Sequence, residues 1–386
     1  MKIAFIINDG SLNEGSIKSF LILLEKLTTE NIETIIITPN KNELYRYLLK
    51  HRYKVFSFPI RHNIYPNKSI FKSPISYFKY AVRRLYDYYA STRIKTLCKS
   101  EHVDLIHSNS SVLTAGYRAA KWLNIPHITH IREYGDLDFN LTLPHLSKQL
   151  KSDNNYSIAI TNGIAAHRPS KNYRVIYNGI TCLDNDFAIL PKQNYFLFAG
   201  RIEISKGIDI LIDAFIEFCK NNPDNKTILK VTGDFSNGPA ATLKKQLSHN
   251  LNQVNLLNRV MWIGSRNDIT QLMSKALATI IPSRFEAFGR VMPEAISNGC
   301  LVIGKNTGGT KEQFDNGLKY CGTEIGYRFD TPEELATIMQ TVATSDYDQF
   351  VPMIKNGYET ITALYSTDAY SKSVINYYKS ILRCNK

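Results

Sequence analysis

Long apolar runs are missing from this chain of 386 residues. No stretch approaches the ~20 residues that a membrane-spanning helix needs, so a soluble or peripheral protein is expected. The opening Met1-Lys2-Ile3-Ala4-Phe5-Ile6-Ile7 stops at Asn8 and Asp9, and no small-residue cleavage site follows. It reads as a first buried strand, not a leader. Paired cysteines are missing too. Cys98, Cys182, Cys219, Cys300, Cys321 and Cys384 are scattered without a Cys-x-x-Cys, so neither a disulfide framework nor a zinc site is suggested, and a reducing cytoplasm fits. Solenoid repeats and low-complexity tracts are absent. Acidic residues are scarce: 34 Asp and Glu against 47 Lys and Arg leave a net charge of +13. That balance points to an anionic partner, whether nucleotide, nucleic acid or membrane surface.

The chain does have ample material for cores, with 44% hydrophobic and 21% charged residues over a length that suits two domains. Strand-like apolar runs fall at 3–8, 34–38, 55–59, 104–107, 128–131, 158–161 and 175–177. A second series falls at 195–199, 228–232, 261–263, 279–282, 301–304 and 327–329. Helical patterns such as 17–27, 208–218 and 332–339 lie between or after them. Continuous apolar strands separated by helices predict parallel sheets covered on both faces. Two series predict an α/β chain of two Rossmann-like, doubly wound domains. The seam is expected within 180–194, giving domains at 1–182 and 183–366. A helix in 367–386 then remains, whose packing partner periodicity does not decide; a return to the first domain is one option.

The densest chemistry is in Pro282-Ser283-Arg284-Phe285-Glu286-Ala287-Phe288-Gly289-Arg290-Val291-Met292-Pro293-Glu294. A helix opening near Gly289 would present unpaired amides, a seat for phosphate. Gly289 permits close backbone approach. Glu294, five residues into that helix, would stand roughly 7.5 Å along its axis, which suits a carboxylate accepting ribose hydroxyls. Glu286 would lie on the side of the donor sugar.

This Glu-x7-Glu element, preceded by Pro-Ser and filled with Phe-Gly, resembles that of retaining GT-B glycosyltransferases of family four, the glycogen-synthase-like group 1 enzymes. The resemblance implies two domains facing across a cleft, with Glu294 on ribose and Glu286 on the transferred sugar. Gly200-Arg201-Ile202-Glu203-Ile204-Ser205-Lys206-Gly207 is similar to the family's Gly-Arg-x4-Lys-Gly stretch. Two fixed cations there would neutralise the departing diphosphate, so no metal and no cofactor is expected. Thr307-Gly308-Gly309-Thr310-Lys311-Glu312 resembles the turn that closes over the donor. Gly233, and the backbone from Gly264 to Arg266 beside the base, match family strand ends. Phe288 and Arg290 complete the expected donor contacts. His130, in His127-Ile128-Thr129-His130-Ile131-Arg132-Glu133, matches a histidine facing the donor sugar in the cleft, although Ile131 stands where many relatives have Asp. Gly10-Ser11-Leu12-Asn13-Glu14-Gly15-Ser16 is similar to the family's glycine loop only at Gly15 and Ser16, and it is not a G-x-G-x-x-G dinucleotide fingerprint. Tyr177-Asn178-Gly179-Ile180 resembles the Asn-Gly turn at the domain seam.

Residues 61–99 carry nine Lys or Arg with only Asp87 opposed, interleaved with Tyr65, Phe71, Tyr77, Phe78, Tyr80, Tyr86, Tyr88 and Tyr89. Such a mixture suits an anionic membrane surface. One stripe of Phe78, Val82, Leu85 and Tyr89 is expected to pack on the core. No nucleic-acid module is present. The expectation is a cytoplasmic, metal-independent, retaining hexosyltransferase, peripheral on the inner face of the membrane. It would transfer from a nucleotide-sugar, with UDP-sugar favoured, to a glycan or lipid-linked acceptor in cell-surface polysaccharide assembly. Alternatives are a non-catalytic GT-B sugar-binding or chaperone protein, which the set Arg201, Lys206, Glu286 and Glu294 disfavours, and a nucleotide-sugar epimerase. A glycosidase would need its carboxylates to flank the sugar bond. Asp136-Leu137-Asp138 and Asp346-Tyr347-Asp348 fit a metal-dependent string, but neither sits where a first-domain nucleotide strand ends.

Overall fold

The computed structural model describes residues 1–12, 14–66, 74–139, 141–143, 145–181 and 187–384. The chain divides into two compact units, Met1–Gly179 with Thr367–Lys386, and Ile180–Ser366.

The first unit is built on a seven-stranded sheet. Its order is Val55–Ser57, Glu33–Thr38, Lys2–Ile6, Leu105–Ser108, His127–Ile131, Asn155–Ala159 and Asn172–Val175, every neighbouring pair parallel. Central strands are buried because helices cover both faces: Ile3, Phe5, Leu105 and Ile128 are fully buried, and so are the polar His107, His127 and His130 among them. The helix Thr367–Cys384 packs here. Tyr370, Val374, Ile375, Tyr377, Tyr378 and Ile381 recur at helical spacing and join the core of Phe5, Phe20 and Ile128. Each such burial contributes about 1.5–3 kcal/mol before ordering costs.

The second unit has a six-stranded parallel sheet in the order Val260–Gly264, Ile228–Thr232, Tyr195–Ala199, Ala278–Ile281, Val302–Lys305 and Tyr327–Phe329. Phe196, Phe215, Phe218, Leu229 and Ile303 fill its core. The strand order turns back next to Tyr195–Ala199, the kind of position at which open α/β sheets bind ligands beyond their carboxyl ends.

Three sequence expectations need correction. The strand expected at 175–177 runs instead over Asn172–Val175. It is an edge strand whose Tyr173 and Arg174 face solvent, so its apolar signal is weak. The helix expected to open near Gly289 is Val291–Ser297, with Arg290 as its cap, which makes Glu294 the fourth helical residue. The stripe expected to pack on the core does not. In the helix Pro74–Ser100, Phe78 is 70% and Leu85 71% exposed, Tyr89 is also exposed, and Val82 is half-buried. The inward face is made by Asp87, Ala90, Ser91, Ile94 and Cys98. Polar partners set that rotation: Asp87 and Ser91 meet Thr114 and Arg118 of the neighbouring segment. Of the basic stretch, Lys68, Phe71 and Lys72 lie outside the described residues. No helix among the described residues is long and apolar enough to cross a membrane.

Candidate active site

In the C-terminal unit the strand ends carry the glycines and charged side chains singled out above. Gly200, Gly233 and Gly264 stand side by side. The Gly233 amide donates to the Gly264 carbonyl at 3.1 Å, and a Cβ on Gly233 would lie 2.2 Å from the Gly200 carbonyl oxygen. With φ at 147°, Gly233 has a backbone that side chains rarely adopt. Beyond the next strand, residues 282–289 fold against the turn at 307–309. Gly308 has φ 52°, and a Cβ there would meet the Glu286 backbone at 2.6 Å; the Gly309 amide donates to the Glu286 carbonyl at 2.7 Å. Gln313 reaches back to the carbonyls of Phe288 and Gly289. These bonds fix the loop that carries Glu286.

Lys206 and Glu286, eighty residues apart, form the centre of this cluster. Lys206 Nζ donates to Glu286 Oε1 at 2.6 Å, with the side chains 20% and 15% exposed. Ser283 Oγ donates to the same oxygen at 2.8 Å. The approach depends on Gly207, where a Cβ would sit 1.9 Å from the Pro282 carbonyl oxygen. An ammonium so held keeps two further N–H donors for an anion.

Arg201 departs from the expected pair of fixed cations. Its side chain is 64% exposed and bonds Glu203 at 2.9 Å, so Lys206 alone is held rigidly. Glu203 and Ser283 are therefore partners that motif reading passed over; Ser283, three residues before Glu286, was the legible one. Arg266 is bound twice by Asp268, at 2.8 and 2.7 Å. Arg290 Nε donates to Glu294 Oε1 at 3.1 Å, one helical turn apart. Glu294 is partly exposed, so a hydroxyl can reach its carboxylate.

His130, Gly15 and Ser16 belong to the N-terminal unit. Gly15 and Ser16 open the helix Gly15–Thr29, and the Ser16 carbonyl accepts from Asn109 Nδ2. His130 is fully buried on the strand His127–Ile131 within a polar array that the sequence did not reveal. Arg132 Nη2 donates to its Nδ1 at 3.3 Å, His107 Nε2 stands 3.2 Å from the same atom, and Tyr378 Oη lies 2.5 Å from His107 Nδ1. An arginine only donates, so His130 Nδ1 must accept. It follows that His107 carries its proton on Nε2 and accepts from the Tyr378 hydroxyl on Nδ1. His130 then bears its own proton on Nε2, a buried donor with no hydrogen-bond partner among the described residues. Burial, then the Arg132 charge, holds both histidines well below the usual imidazole range, so both are neutral near pH 7. Glu133, next along the chain, takes three hydrogen bonds from Ser110 and Ser111 on its Oε1, while burial pushes its carboxyl up.

Asp138 of the first acidic string caps the amides of Tyr134 and Gly135, and Asp346 of the second caps Asp348. Among the described residues no group of three or more His, Cys, Asp or Glu side chains is placed to hold a metal ion.

Residues 183–360 match the family described as glycosyl transferases group 1. The chain is 24% identical over 320 residues to an uncharacterized glycosyltransferase of Methanocaldococcus jannaschii, covering 78% of this chain and 75% of that protein. It is 22% identical over 195 residues to the lipopolysaccharide core biosynthesis mannosyltransferase LpsB of Rhizobium meliloti, covering 50% of this chain and 53% of that one. Among solved structures, Anabaena Alr3699/HepE in complex with UDP matches with a TM-score of 0.75 at 18% identity, over 98% of this chain and 100% of that one. The fold is that of a GT-B protein, two Rossmann-like α/β units. In sequence the chain is similar to glycosyltransferases of group 1, with the family match confined to the second unit.

Proposed function

We propose that this transferase moves a hexose from a UDP-sugar to a hydroxyl of a glycan or lipid-linked acceptor in cell-surface polysaccharide assembly, with retention and without a metal. The observation that carries the reading is the Lys206–Glu286 pair, set among glycines whose backbone a diphosphate can approach. Two likenesses support the finer terms: HepE was solved with UDP, and LpsB is a lipopolysaccharide core mannosyltransferase. Lys206, with Arg201 turned from Glu203, takes the charge that grows on the leaving diphosphate. Glu294 accepts the ribose hydroxyls, and the His130 Nε2 proton meets a substrate hydroxyl. Glu286 already carries two hydrogen bonds on Oε1, which makes it a poor nucleophile and favours attack from the face the diphosphate leaves. Its role is to orient the sugar and Lys206.

We assign the helix Pro74–Ser100 to the inner membrane surface. Exposed Phe78 and Leu85 stand among exposed Lys79, Arg83 and Arg93, a mixture suited to anionic headgroups. The test of the donor is a thermal-shift series with UDP-, GDP- and ADP-sugars on the wild type and Glu294→Ala. UDP-sugars should stabilise the wild type, and the variant should lose about 1.5–3 kcal/mol of that binding. Equal response by both proteins removes Glu294 from the site, and preference for another base removes UDP.

A further inference from the structure

The helices Pro74–Ser100, Ala115–Leu123 and Leu146–Leu150 of the N-terminal unit enclose a cavity of about 320 Å³. Arg84, Arg118, Lys121, Lys148 and His145 line it, with no carboxylate among its walls. Behind them is Asp87, its side chain 2% exposed. One oxygen, Oδ2, accepts from Arg84 Nη1 at 3.3 Å, Arg118 Nη1 at 3.2 Å and Thr114 Oγ1 at 2.7 Å. The remaining bonds of both arginines also use Nη1: Arg84 to Thr114 Oγ1 at 3.2 Å and Arg118 to Ser91 Oγ at 2.8 Å. The Nε and Nη2 hydrogens of both guanidinium groups are left without a hydrogen-bond partner among the described residues. Lys121 and Lys148 are exposed and pair with no carboxylate there.

Four cations against one carboxylate leave three positive charges unmatched around the cavity. Mutual repulsion makes this arrangement costly unless an anion enters. Asp87 has already immobilised both guanidinium planes, so little further side-chain entropy is lost when their free edges engage a ligand. Paired N–H edges suit the oxygens of a phosphate. Trp122, at the rim with Lys95 5.9 Å from its ring, adds an apolar edge.

We propose that this cavity is a binding site for a phosphate-bearing ligand, gripped by the free edges of Arg84 and Arg118 with Lys121 and Lys148. The site is separate from the donor cluster of the C-terminal unit and stands whether or not the UDP-sugar reading does. Two sources carry this chemistry, a soluble phosphate and a phospholipid headgroup.

The experiment uses the full chain and two probes: inorganic phosphate followed by phosphorus NMR, and co-sedimentation with vesicles of phosphatidylglycerol in phosphatidylcholine. Lys121→Gln with Lys148→Gln changes only exposed side chains and spares the fold. It should weaken binding of at least one probe about tenfold, the loss of charged contacts. The control, Lys245→Gln with Lys372→Gln, makes the same change in net charge elsewhere. Weaker phosphate binding in the cavity pair identifies a soluble phosphate, and weaker vesicle binding alone identifies the headgroup; either upholds the site. The proposal is overturned if neither probe binds more weakly to the cavity pair, or if the control pair loses as much.

Discussion

The contact between Lys206 and Glu286 allows stability and catalysis to be separated. Lys206→Met keeps the aliphatic stem but removes the ammonium that Glu286 holds at 2.6 Å. Glu286 is 15% exposed and would keep only the Ser283 hydroxyl. Losing a charged hydrogen bond at so covered a site costs about 1.5–3 kcal/mol, more than a solvated surface pair would. In a unit of this size each kcal/mol moves the midpoint by about 2–4 °C. The single variant should therefore unfold roughly 3–12 °C lower, taking the product of those two ranges. Adding Glu286→Gln removes the stranded charge, and the double variant should regain part of the midpoint, a coupling that a double-mutant cycle reads directly. Turnover should behave differently. If Lys206 serves the diphosphate, its loss costs on the order of a hundredfold in kcat, and the second substitution restores none of it. Calorimetry and a coupled nucleotide-release assay on the four proteins decide the matter. Recovery of turnover together with stability would mean that Lys206 acts only by holding Glu286.

Three further outcomes follow from the same contacts. Tyr378→Phe deletes only the hydroxyl that His107 accepts; histidine nitrogen NMR should show His130 protonated on Nε2 in the wild type, and the variant should lose turnover at unchanged donor affinity. A wild-type His130 protonated on Nδ1 would refute this assignment of protons. Acid should weaken the N-terminal unit: burial lowers His127 from 6.5 to about 4, so the unfolded chain binds more protons below pH 6.5. Stability is then full above that value and falls toward pH 4, by about 3 kcal/mol from this group alone; urea midpoints that stay flat from pH 7 to 4.5 would contradict it. Phe78→Ser with Leu85→Ser should reduce binding to anionic vesicles without lowering the melting temperature, because both side chains are already exposed; retained binding would leave that surface without a membrane role.

The fold was legible where burial is symmetrical. Ile3, Phe5, Phe196 and Leu229 lie in strands whose apolar runs sit between helical patterns, and these appear in the sheets. Elements whose burial is decided by partners far along the chain were not legible. Tyr378 meets His107 across 271 residues, and nothing local in either segment announces it. The helix Pro74–Ser100 has an apolar stripe, yet Asp87 turns a polar face inward because Arg84, Arg118 and Thr114 all engage its carboxylate oxygen Oδ2. In the C-terminal unit the motif marked Lys206 and Glu286 as neighbours in function, but the bond between them depends on Gly207 and Ser283 bringing two strand ends within reach. Arg201 matches the motif equally well and is nonetheless solvated, since its partner Glu203 lies two residues away on the same exposed loop.

Stereochemistry tests the central claim most directly. The enzyme should be incubated without divalent metal with an α-linked UDP-sugar and an acceptor, and the anomeric coupling of the product read by proton NMR. An α-linked product is predicted, because Glu286 is held by Lys206 and Ser283 and the proposed attack comes from the face the diphosphate leaves. A β-linked product would contradict the proposed retaining mechanism and the role given to Glu286 within it.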